Sequence, residues 1–106
     1  MPSSKEYLDF VLDMLSGTEG ITWRAMMGEY IIYCKGKVVG GIYDDRFLVK
    51  RTKSSERMMP DGKLEFPYNG GKQMLLVEDI ENRDFLSTLL TAIAEDLTKP
   101  DKKEKK

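Results

Sequence analysis

Between Ile21 and Lys50 the chain sets four strand-length apolar runs so close together that only hairpins can join them. The runs are Ile21 to Met27, Tyr30 to Cys34, Val38 to Tyr43 and Phe47 to Lys50. They are rich in β-branched and aromatic residues, the types that fit a pleated, half-buried surface. Their connectors are Gly28-Glu29, Lys35-Gly36-Lys37 and Asp44-Asp45. A parallel crossover needs about a dozen residues or more, so these strands pair antiparallel. Alternation is imperfect, with Tyr30-Ile31-Ile32-Tyr33 apolar throughout. That pattern predicts cover over parts of both sheet faces, by helices or by a second copy of the chain.

Helices are expected on either side of this block. Ser3-Ser4-Lys5-Glu6 matches a capping box, with Ser3 as the cap and Glu6 reaching back. Tyr7, Phe10, Val11 and Met14 follow at helical spacing, and Gly17 stands where a left-handed helix end is wanted. Residues 51–63 are polar and irregular, with a short helical turn over Ser54 to Met59 and a turn at Pro60-Asp61-Gly62. Leu64 to Tyr68 and Gln73 to Val77 read as a second hairpin closed by Asn69-Gly70-Gly71, with Pro67 confining its strand to an edge. A last helix starts near Asn82, where Leu86, Leu89, Leu90, Ile93 and Leu97 line one face, and Pro100 stops it. The expectation is an α+β fold, a mainly antiparallel sheet of about five to six strands flanked by N-terminal and C-terminal helices. Residues 1–98 form the domain, and residues 99–106, with five lysines against Asp101 and Glu104, form a tail expected to be disordered.

Composition excludes several kinds of chemistry. The chain has no histidine and one cysteine, Cys34. The commonest general acid–base is therefore missing, and so is any internal disulfide or thiolate metal cluster. Cys34 lies in an apolar run, where cysteine behaves as a small hydrophobe. Asp44-Asp45 is an adjacent acid pair, but neighbouring acids between strands are turn residues first. Gly40-Gly41 in mid-strand predicts a bulge or a close packing contact rather than a phosphate cradle. We expect no enzyme, no cofactor and no metal. With no apolar run near the roughly 20 residues that span a bilayer, no membrane partner and a cytoplasmic location are expected.

What remains are cations. Arg46, Lys50, Arg51, Lys53, Arg57 and Lys63 cluster around the fourth strand and the segment after it, and Arg24 stands beside Trp23 in the first strand. Such a set contacts a partner or phosphates, or it is a solvated charge set that protects a sheet edge. The chain as a whole has a net charge of -1, so nothing global draws it to nucleic acid.

The segment Arg24-x-Met26-Met27-Gly28, followed by Tyr30, Tyr33, Gly36, Asp44, Asp45, Leu48 and Lys50, resembles the N-terminal domain of the TfoX/Sxy family of bacterial competence regulators. Phe66, Tyr68 and the helix from Phe85 continue the likeness, over roughly residues 5–97. Met27 replaces the family's phenylalanine, and Glu29 and Ile31 replace glycines. The resemblance implies a non-enzymatic transcriptional co-regulator, in a single-domain member. It would act through protein–protein contacts with the transcription machinery, in particular the cyclic-AMP receptor protein at promoters, and meet DNA indirectly or weakly. The contact residues expected on this reading are Arg24, Arg46, Lys50, Arg51, Lys53 and Arg57. The alternative is a stand-alone protein-interaction or dimerisation module, a homodimer included.

Overall fold

Three two-residue turns build most of the sheet. In the computed structural model, which describes residues 3–68 and 70–98, strands β1 (Ile21–Met26), β2 (Glu29–Cys34), β3 (Lys37–Tyr43) and β4 (Arg46–Val49) follow one another as an antiparallel meander. Each turn holds both of its residues at positive φ: Met27 at 52° and Gly28 at 87°, Lys35 at 54° and Gly36 at 81°, Asp44 at 54° and Asp45 at 56°. This is the type I′ geometry whose twist matches that of paired strands. Asp44-Asp45 is thus a turn, as expected.

Met27, like Lys35, is a misfit among them. Its side chain is 96% exposed and its backbone sits where only glycine, asparagine or aspartate rests easily. Met27→Asn should raise stability by about 0.5–1 kcal/mol, read as a higher urea midpoint at constant m. A lower midpoint would contradict the strain.

Around the meander lie α1 (Lys5–Met14), α2 (Lys53–Met58), β5 (Leu64–Glu65), β6 (Met74–Leu76) and α3 (Arg83–Thr98). The order across the six-stranded sheet is β1-β2-β3-β4-β6-β5, and every pairing is antiparallel. The protein is therefore α+β, with an N-terminal and a C-terminal helix flanking the sheet. Both pack on one face. Leu8, Val11 and Leu15 from the α1 segment and Leu86, Leu89, Leu90 and Ile93 from α3 enclose Ile32, Val39, Ile42, Phe47 and Val49. Burying side chains of this kind contributes about 1.5–3 kcal/mol each.

Two expectations shift. Ser4, not Ser3, caps α1, its Oγ accepting from the Tyr7 amide at 3.1 Å. Ser3 is drawn into the turns instead: its amide donates to the Gly28 carbonyl (3.0 Å), its Oγ donates to Glu29 Oε1 (2.6 Å) and accepts from the Asp45 amide (3.0 Å). The second hairpin pairs less than expected, although the expected turn closes, the Gly71 amide donating to the Tyr68 carbonyl at 3.0 Å. Only Leu64 and Glu65 pair, with Leu75 and Met74, and residues 66–68 and 70–73 leave the ladder as an arm. Pro67 has no N–H to continue the pairing. Arg46 holds the Glu65 carboxylate and donates to the Phe66 carbonyl at 3.3 Å, while the Tyr68 ring meets Tyr43 edge-on at 6.1 Å. Asn69, the tail from residue 99 and Pro100 lie outside the described residues.

The helical turn after β4 is α2, closed by a box in which Thr52 Oγ1 accepts from the Ser55 amide and Ser55 Oγ from the Thr52 amide. The Ser54 amide donates to Asp96 of α3 at 2.8 Å. At the start of α3, Asn82 Oδ1 accepts from the Phe85 amide at 3.1 Å, consistent with the expected start.

Candidate interaction surfaces

Paired residues share a face of a sheet, and faces alternate along each strand. The register therefore puts Arg24, Ile31, Gly41, Leu48 and Leu76 in one row on the face away from the helices. Leu48 is 0% exposed even there, and Tyr43 is 6% exposed. The Tyr43 ring, met edge-on by Tyr68 of the arm, lies over this part of the face. A β-carbon on Gly41 would stand 2.7 Å from Tyr43 Cε2, so glycine lets the ring lie flat across the strand.

Between the arm and the β4–α2 segment runs an open groove of about 1040 Å³. Tyr43 and Val38 line it from β3, Phe66 and Tyr68 from the arm, and Lys50, Arg51 and Glu56 from the opposite side, with Lys72 near the arm's end. Phe66 and Tyr68 remain 55% and 58% exposed, more than free packing requires. Burial, the neighbouring Tyr68 and Glu29 push the Tyr43 hydroxyl above its ordinary range. It stays a neutral hydrogen-bonding group near neutrality.

The expected contact residues separate into three groups. Lys50, Arg51, Lys53 and Arg57 are brought together on the β4–α2 segment, where all four are exposed. Lys53 and Arg57, four apart on α2, share a face of the helix. Arg51 is paired with Glu56 at 2.8 Å, whereas Lys50, Lys53 and Arg57 make no ion pair among the described residues. Arg46 points the other way, half-buried, into its pair with Glu65 and a bond from Nε to the Tyr43 carbonyl at 3.1 Å. It acts as a clamp on the arm. Arg24 lies three strand spacings, roughly 14 Å, from β4 along its row. The groove's aromatic wall and Lys72 were not singled out from the sequence. Their signal was present in Phe66-Pro67-Tyr68, an apolar run interrupted by proline beside two glycines.

β1 is a second surface. It forms one edge of the sheet, and five of its six residues are exposed. Trp23 is 42% and Met26 43% exposed, and the Trp23 ring meets Tyr30 edge-on at 5.6 Å. Gly40 and Gly41, in contrast, are buried in the middle of the sheet. Both expected features occur there, a bulge in the β2–β3 register and close backbone approach at Gly40.

Cys34 is 0% exposed, its thiol donates to the Glu19 carbonyl at 3.6 Å, and burial pushes its pKa up against a smaller lowering by Lys35. Among the described residues no three His, Cys, Asp or Glu side chains are placed to hold a metal ion. No helix among them is long and apolar enough to cross a membrane.

No family model matches the chain, and no solved structure matches it. A protein of Spirochaeta aurantia, described as an uncharacterized 12.7 kDa protein in the trpE 5′ region, is 30% identical over 80 residues, 76% of this chain and 70% of that protein.

Proposed function

The chain belongs to the family of this 12.7 kDa Spirochaeta aurantia protein, and we propose that it works by binding other macromolecules, as a non-enzymatic co-regulator of transcription of the competence type. The groove carries this reading. It sets exposed Phe66 and Tyr68 against the cations Lys50, Arg51 and Lys72, a combination suited to an acidic segment with apolar anchors. Exposed aromatic side chains beside cations are what an interface uses and a core does not. The resemblance to the TfoX/Sxy domain supplies the partner, the cyclic-AMP receptor protein at its promoters. Two further facts support a non-catalytic role: the absence of histidine and the burial of the sole thiol.

The test is fluorescence anisotropy on labelled competence-promoter DNA, with and without the cyclic-AMP receptor protein, across a salt series. A receptor-dependent gain in binding is expected. The triple variant Lys50→Glu, Lys53→Glu, Arg57→Glu should lose that gain by at least about tenfold, because rim charges set encounter and register. None of the three side chains holds the fold together, so thermal unfolding should move little. Unchanged binding by the folded triple variant would refute the placement. Weak binding that needs no receptor and vanishes with salt would mean charge attraction alone.

A further inference from the structure

We propose that β1 pairs with β1 of a second copy of this chain, antiparallel across a two-fold axis at Trp23, joining two six-stranded sheets into one. The two edges of the sheet are treated differently. β5, at one edge, is two residues long and is followed by Pro67, which blunts it against further pairing. β1, at the other, is six residues long, keeps a regular register with β2, and contains no proline and one charge, Arg24. Arg24 is its one device against edge pairing, with no proline, no bulge and no shortening beside it.

The backbone fixes how a partner strand would dock. Opposed pairs in an antiparallel ladder alternate between hydrogen-bonded and non-hydrogen-bonded. A two-residue turn closes on a hydrogen-bonded pair, here Met26 and Glu29. The bond from the Lys35 amide to the Gly20 carbonyl, 2.8 Å, sets the same phase at the far end. The N–H and C=O groups of Ile21, Trp23 and Ala25 therefore point outward, away from β2.

Side chains then choose the register. An axis perpendicular to the sheet keeps both sets of helices on one face, so Trp23 and Ala25 meet their own kind of surface. With the axis at Trp23, the two indoles meet, Ile21 opposes the partner's Ala25, and Arg24 opposes the partner's Thr22. All three outward-pointing residues find backbone partners. A shift that moves the axis to Arg24 would oppose two guanidinium groups, which destabilises a cross-strand pair. The Trp23 register also brings Met26 opposite the partner's Gly20, which has no side chain to displace it.

Met27 fits the same picture. It is 96% exposed on a strained backbone, gains nothing from burial in one copy, and would reach the partner next to Gly20. The net charge of -1 offers little repulsion between copies. The interface is one strand wide, so it belongs with small, readily reversible interfaces. It uses neither the groove nor the β4–α2 cations, so its failure and that of the proposed function are distinguishable.

Sedimentation velocity on the full chain from low micromolar to near-millimolar concentration tests it, with tryptophan emission read in parallel. Trp23 is the sole tryptophan and reports on this edge alone. A concentration-dependent dimer is expected, with the emission moving to shorter wavelength in step. Ala25→Pro removes an outward N–H and no bond of the β1–β2 ladder, so it should leave a folded monomer with fixed emission. Ala25→Lys, which keeps the backbone intact, should weaken the dimer likewise and serves if the proline variant does not fold. A chain that stays monomeric throughout, a dimer that persists in the folded variants, or a dimer with unchanged emission would overturn the proposal.

Discussion

Gly40→Ala is expected to destabilise the protein by about 3 kcal/mol, the upper end of what overpacking costs. A β-carbon there would lie 2.2 Å from the Leu48 carbonyl oxygen and 2.9 Å from Val49 Cα. Both atoms belong to the backbone of β4, the neighbouring strand, so no side chain can swing aside. The bulge next to Gly40, where the register passes from Ile32–Gly40 to Tyr33–Val38, leaves no slack in the ladder. Urea unfolding should show a lower midpoint with m unchanged, and the thermal midpoint should fall by about 10–20 °C. A loss below about 1 kcal/mol would show that β3 and β4 can separate locally at little cost, against the packing described.

Phe47→Ala should cost more, about 3–5 kcal/mol, a large share of the roughly 5–15 kcal/mol by which an ordinary domain is stable. Phe47 is 0% exposed and is the largest fully buried side chain. It opposes Ile42 across β3–β4, and its carbonyl accepts from the Val77 amide at 3.0 Å. Truncation would open a cavity walled by two strands and by both flanking helices, which cannot close around it without breaking their own contacts. Phe47→Leu, which keeps most of the volume, is the control and should lose less than half as much. Equal losses from the two variants would mean that ring shape, not cavity volume, decides.

The meander was legible because its information is local. Apolar runs, two-residue connectors and glycines fix the pairing of β1 to β4 without reference to anything distant. Even so, each of these strands has at least one end that moved by a residue, while Ile21, Cys34 and Tyr43 stand where expected. The arm was not legible. Asn69-Gly70-Gly71 carries a strong hairpin signal, yet the ladder ends at Glu65, where Pro67 follows and Arg46, far away in sequence, takes the Glu65 carboxylate and the Phe66 carbonyl. The local turn still forms, the Gly71 amide bonded to the Tyr68 carbonyl, but Pro67 and a long-range ion pair hold residues 66–68 off the ladder, and no short window along the chain contains both ion-pair partners. The same contact explains why the cation cluster read from composition divides in space. Arg46 is consumed by the arm, Arg51 by Glu56, and Arg24 sits on another strand, while Lys50, Lys53 and Arg57 remain together. Adjacency in sequence located the cluster. It could not say which charges were already spoken for.

The three tight turns also have a kinetic meaning. Closing a two-residue loop loses little chain entropy, so β1 to β4 can zip up from their own turns early in folding. β6 must instead find β4 across the whole α2 segment, and β5 and the arm can settle only once β6 is in place. What assembles last with the fewest contacts is also what loosens first. The wall carrying Phe66 and Tyr68 can therefore swing open while the meander and its helices stay folded. A guest could enter the groove from the side, without waiting for the protein to unfold.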